Sequence, residues 1–116
     1  MSFMICVRNQ KILVHHYPEA KHCVRFLRTP HRHVFYVKTC IGVVNSREVE
    51  FFIFQEFIDQ VLEKFKEEQD GGSFSCEDLA LYIKEKVKLD YFTSRVKIEV
   101  SEDGENSAIL DSAYHI

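Results

Sequence analysis

Phe51-Phe52-Ile53-Phe54-Gln55-Glu56-Phe57-Ile58-Asp59-Gln60-Val61-Leu62-Glu63-Lys64-Phe65 is the stretch in which the hydrophobic period of the chain changes. From Phe54 onward the apolar residues are Phe54, Phe57, Ile58, Val61, Leu62 and Phe65, the i, i+3, i+4, i+7 rhythm of a helix with one apolar face. Upstream the rhythm is that of strands. Residues 33–44 are β-branched and aromatic, Asn45-Ser46 offers a turn, and Glu48 to Ile53 reads as a second extended run, which together predict a hairpin. Further back, residues 3–8 and 11–16 are strand-like, with Asn9-Gln10 between them as a turn or a mild irregularity in one long strand. Downstream, Asp70-Gly71-Gly72-Ser73 ends the helix. Ser75 is then placed as the N-cap of a second helix with the stripe Cys76, Leu79, Ala80, Ile83 and Val87. Val96, Ile98 and Val100 alternate as a strand, residues 102–106 make a turn, and Ala108-Ile109-Leu110 closes as another. The predicted order is β-β-α-α-β-β. Strands grouped on either side of a helix pair imply an α+β fold, a four-stranded antiparallel sheet with two helices on one face.

The 116 residues have room for a single domain, 1–116. With 46% hydrophobic residues, ten Phe, four Gly and two Pro, the chain can fill a core and is not low-complexity. No apolar run approaches the roughly 18 to 20 residues of a membrane span, and the first residues lack the pattern of a signal peptide, so no membrane association and a cytoplasmic location are expected. Cys6, Cys23, Cys40 and Cys76 form no CxxC pair, so they read as reduced thiols, with disulfides unexpected. A net charge of -3 argues against nucleic-acid binding. Within it, residues 8–38 carry seven basic side chains against Glu19 alone, a bias able to attract an anionic ligand or simply to form a solvated face.

Five of the six histidines, His15, His16, His22, His31 and His33, fall within 19 residues. His31 and His33 stand two apart at the start of a strand, so their side chains share a face and can converge on one ion. The end of the first strand supplies a third imidazole, His15 or His16. Three neutral imidazoles with an open fourth position are the usual arrangement of a catalytic zinc. Glu102, at the end of a strand, is a carboxylate able to accept two parallel N–H donors, the edge a pterin or guanine-like ring presents. Glu77, in the first turn after the Ser75 cap, suits the helix dipole and reads as structural.

These parts in this order resemble the 6-pyruvoyl-tetrahydropterin and 6-carboxy-tetrahydropterin synthases. The matching segments are Ile12-Leu13-Val14-His15-His16, Pro30-His31-Arg32-His33-Val34-Phe35, residues 51–57, Ser75-Cys76-Glu77-Asp78-Leu79-Ala80 and Ile98-Glu99-Val100-Ser101-Glu102, which together span nearly the whole chain. The resemblance implies the tunnelling fold, a three-histidine zinc site and a pterin-ring anchor at Glu102. It also implies a homo-oligomer, trimer or hexamer, with pockets at subunit interfaces, and lyase activity on a reduced pterin such as dihydroneopterin triphosphate. The 15-residue separation of His16 and His31 lies within the family's range and favours His16, His31 and His33 as the zinc ligands.

The chain departs from that pattern at the groups that move protons. Where the family has Leu-Asp-His after the first helix, this chain has Glu68-Gln69-Asp70. Its nearest cysteine, Cys23, lies eight residues before His31 instead of four to six. Arg32 replaces the glycine between the paired histidines, and Ile53-Phe54 replaces Asp-Phe. Cys23 and Asp70 are therefore the candidates for acid–base chemistry. A binding protein that keeps a pterin- or purine-shaped pocket and the metal without turnover is the alternative expectation.

Overall fold

The computed structural model describes residues 3–113. Two strands, β1 (Phe3–His15) and β2 (His31–Val43), precede two helices, α1 (Phe51–Gln69) and α2 (Cys76–Asp90), and the chain closes with β3 (Arg95–Glu102) and β4 (Asn106–Ala113). All strand pairs are antiparallel and the sheet order is β1-β2-β3-β4, the expected α+β fold in the expected order. Strand alternation divides the sheet into a covered and an open face. Val7, Leu13, Phe35, Val37, Ile41, Val96, Ile98 and Val100 point inward, where they meet Phe54, Ile58, Leu62 and Phe65 of α1 and Leu79, Ile83 and Val87 of α2 in one apolar core. Burial of each such side chain contributes about 1.5 to 3 kcal/mol, so the core stripe, rather than helix propensity, holds the helices to the sheet.

Three sequence expectations change in the folded chain. The extended run predicted over Glu48 to Ile53 does not form, and no hairpin turns at Asn45-Ser46. Instead α1 starts at Phe51, the Glu50 carboxylate capping the Phe52 N–H. Once Phe54 is committed to the core face with Ile58, Val61, Leu62 and Phe65, helical period turns Phe52 and Ile53 away from it, while Phe51 shares the side of the stripe but stands at the very first turn of the helix, beside an open cleft, and all three are exposed. The β propensity of these residues yields to tertiary context. Asn9-Gln10 is neither turn nor break: β1 is continuous, with Asn9 facing inward and its amide donating to the Gln55 carbonyl and the Asp59 carboxylate of α1.

The third change concerns the thiols. Cys6 and Cys40 are directly opposed in the β1–β2 ladder, with Cα atoms 4.0 Å apart, and form a disulfide, so the expectation of four reduced cysteines does not hold. Cys23 and Cys76 are free. Between β1 and β2 the chain makes a kinked 3₁₀ segment, His22–Arg28, tied back by the Arg28 guanidinium to the Ala20 carbonyl. Among the described residues no helix is long and apolar enough to cross a membrane.

Candidate metal centre

The pairing of β1 with β2 sets His15 directly opposite His31, and His33 follows two residues along β2 on the same face. β3 brings a fourth group to that end of the sheet. Its inward positions run Val96, Ile98, Val100 and then Glu102, which pairs with Phe35. The site thus continues the core face at its open end. The ring centroids of His15, His31 and His33 are 4.6 to 5.2 Å apart, and one nitrogen from each can be chosen so that all lie within 4.8 Å of one another.

Each imidazole is held by its other nitrogen. His15 Nδ1 is 2.9 Å from the Phe74 carbonyl, His31 Nδ1 2.8 Å from the Thr29 carbonyl, and His33 Nδ1 2.6 Å from the Asp103 carboxylate. All three partners are acceptors only, so in the neutral tautomer each ring carries its proton on Nδ1 and presents the Nε2 lone pair. This is the outer-shell arrangement that fixes tautomer and orientation in histidine metal sites. His15 Nε2 is buried and makes no hydrogen bond. Burial, opposed by the Phe74 carbonyl and the Glu102 carboxylate, pushes the His15 pKa below the ordinary imidazole value, which keeps the ring neutral near pH 7. A buried imidazole nitrogen without a hydrogen-bond partner, beside the half-buried imidazoles of His31 and His33, is a donor set that a divalent zinc ion accepts, and the residues fit that metal.

The anchors are local in origin. Asp103 and Gly104 are the central residues of the β3–β4 turn and both have positive φ, 56° and 75°, the backbone a type I′ turn demands and Asp and Gly tolerate. That turn aims the Asp103 carboxylate at the Val34 N–H (2.9 Å) as well as at His33. The His33 hydrogen bond first, and then that of Val34, holds the Asp103 carboxyl below the usual carboxylate range. Phe74, whose carbonyl fixes His15, is itself buried between Phe35, Phe65 and the His15 ring.

The sequence expectations for the site divide. His31 and His33 stand where expected, but their partner is His15 and not His16. Inward parity on β1 runs Leu13, His15; His16 lies beyond the strand, its N–H and Nδ1 both directed at the Gly72 carbonyl. Asp70, expected as an acid–base group, caps the C-terminus of α1 and accepts the Val14 N–H at 2.7 Å, while Gly71 N–H bonds the Val14 carbonyl. Its carboxylate thus helps tie the end of β1. Cys23 is exposed on the 3₁₀ segment and joins no cluster with the imidazoles. The thiol that senses the site is Cys76: burial first, then the charges of Glu102 and Glu77, push its pKa up to about 12, so it stays protonated although it opens a helix. The roles of Asp103 and Cys76 were missed in the sequence; the Asp103-Gly104 turn signal was the available pointer to the first.

Glu102 borders the cluster on the side of His15 and His33. Its Oε2 is 3.0 Å from His15 Nε2 and 3.7 Å from His33 Nε2. No family model matches the chain, and no curated protein matches it.

Proposed function

We propose that this protein is a zinc-dependent, synthase-like protein that binds a reduced pterin at the His15, His31 and His33 site. The observation that carries the metal is the convergence of three imidazoles, one nitrogen of each within 4.8 Å of the others, with every ring held through Nδ1. When bound, zinc supplies a Lewis acid for a carbonyl or hydroxyl oxygen of the ligand. The ligand class, of which dihydroneopterin triphosphate is the representative, follows from the resemblance of the chain to the tetrahydropterin synthases, and with it the ring anchor at Glu102. The engagement of Asp70 with the Val14 N–H, and the place of Cys23 on an exposed segment outside the imidazole cluster, favour binding over rapid turnover, because neither group is set to relay protons there.

We also propose that the protein works as a homo-oligomer. β1 and β4 are open sheet edges, and at the end of the strands remote from the histidines Phe3, Val44, Phe51 and Phe92 are exposed around two adjoining clefts. Sedimentation at micromolar concentration reads this directly, a monomer alone counting against it.

The test of the function is metal content followed by ligand titration. About one zinc per chain is expected, lost on replacing His31 and His33 together by Ala, and zinc at about 100 times its dissociation constant should add about 2.7 kcal/mol to stability. Biopterin should bind saturably to the zinc form, and dihydroneopterin triphosphate should turn over slowly or not at all. A protein that neither contains zinc nor is stabilised by it overturns the metal centre; a zinc protein indifferent to pterins overturns the ligand class alone.

A further inference from the structure

We propose that Glu102 is the fourth metal ligand of the ligand-free protein: it closes the position that a three-histidine site leaves to water, and a small molecule must displace it to reach the metal. This deepens the metal reading above and rests on it.

Glu102 Oε2 is 3.0 Å from His15 Nε2 and 3.7 Å from His33 Nε2, the ring nitrogens left over once Nδ1 of each is held by the Phe74 carbonyl and the Asp103 carboxylate. His15 Nε2 is buried and makes no hydrogen bond, and a cation lying between the carboxylate oxygen and the two nitrogens would satisfy all three. With metal–ligand bonds of about 2.0 to 2.1 Å, donor atoms on a zinc tetrahedron are roughly 3.3 Å apart, and the two Glu102 contacts fall on either side of that separation.

The backbone placement is equally specific. Glu102 continues the inward series Val96, Ile98, Val100, so the strand directs a carboxylate to a position where the core series would otherwise carry an apolar residue. Directly after it the positive-φ turn at Asp103-Gly104 reverses the chain and sets Asp103 behind His33. Two adjacent acids therefore serve one centre from opposite sides, Glu102 at the lone-pair side of the rings and Asp103 at the N–H side. A site so completed binds metal more tightly and offers no open position until the carboxylate leaves. The N–H edge of a pterin, which pairs with a carboxylate in two parallel hydrogen bonds, is a group able to draw it away.

Cobalt(II) in place of zinc reports coordination by its visible spectrum, and azide probes for an open position. Wild type should bind cobalt with the intense bands of a four-coordinate ion and should not respond to azide. Glu102→Gln should bind about 10- to 100-fold more weakly and should respond to azide. Glu102→Asp, which keeps the charge but retracts it, should fall between them and serves if the Gln variant does not fold. A Glu102→Gln spectrum and affinity equal to wild type, or a wild-type spectrum already altered by azide, overturns the fourth ligand and leaves the three-histidine site standing. Failure of wild type to bind cobalt at all overturns both.

Discussion

Replacing Asp103 by Asn tests whether the imidazoles form a metal centre or merely a packed cluster. Asp103 accepts two hydrogen bonds, from Val34 N–H at 2.9 Å and from His33 Nδ1–H at 2.6 Å, one on each carboxylate oxygen. An amide has one acceptor oxygen for these two donors, and its NH₂ would oppose one of them. The backbone at φ 56° is tolerated by Asn, so the turn itself should survive. The His33 ring would then lose its charged partner and with it tautomer, orientation and basicity, for which the cost in metal affinity is about 10- to 100-fold, or about 1.4 to 2.7 kcal/mol. The assay is competition for zinc against a chromophoric chelator at constant pH, with thermal unfolding of the metal-free protein as the control for folding. Affinity within about twofold of wild type, with the melting of the metal-free protein also unchanged, would refute the claim that Asp103 prepares His33 for a metal. A matched fall in both would assign Asp103 to the turn alone.

Two further outcomes follow from the cysteines. Cys6 and Cys40 close a loop across 34 positions, and chain entropy gives their bond a contribution of about 3 to 4 kcal/mol, so Cys6→Ser with Cys40→Ser should lower the urea midpoint accordingly; a loss below about 1 kcal/mol would mean the ladder alone holds these strands. Near pH 8 a thiol reagent should modify exposed Cys23 first and Cys76 far more slowly, because a thiol with a pKa of about 12 gains thiolate only as pH rises toward that value, and equal rates would contradict the effect of partial burial and of the Glu102 and Glu77 charges on Cys76.

What the sequence made legible follows from which signals are local. The first helix from Phe54 onward, the second helix with its Ser75 cap, and the closing strand pair rest on period and turn chemistry within a few residues, and they form where expected. The capping box at Ser75 and Asp78 is complete in both directions. Phe51 to Ile53 misled because aromatic and β-branched residues favour strands only where the pleat buries them, and here the adjoining helix leaves them in solvent. The site was half legible. His31 and His33 needed only the two-residue repeat of a strand, whereas the choice of His15 over His16 depends on inward parity along β1, which Leu13 would have indicated. Cys6–Cys40 needed the register of two strands joined by a long connection, a non-local quantity. The Cys23 and Asp70 expectations came from position along the chain, and the hydrogen bond of Asp70 to Val14 shows a capping residue filling a place where chemistry was expected.

The alignment that sets Cys6 against Cys40 is the same one that sets His15 against His31, at opposite ends of a thirteen-residue ladder. The connection between these strands is too long to act as a template for their alignment, unlike a two-residue turn. A slip by one residue would send His15 to the open face, and a slip by two would seat it beside a different partner. The sulfur bridge therefore works as a locating pin for the imidazoles: it excludes the misaligned ladders from the covalent ensemble while standing nine residues from the nearest of them on β1. A protein built this way takes the alignment of its imidazole cluster from a remote bond, and closing that bond becomes a check on the register that assembles the cluster.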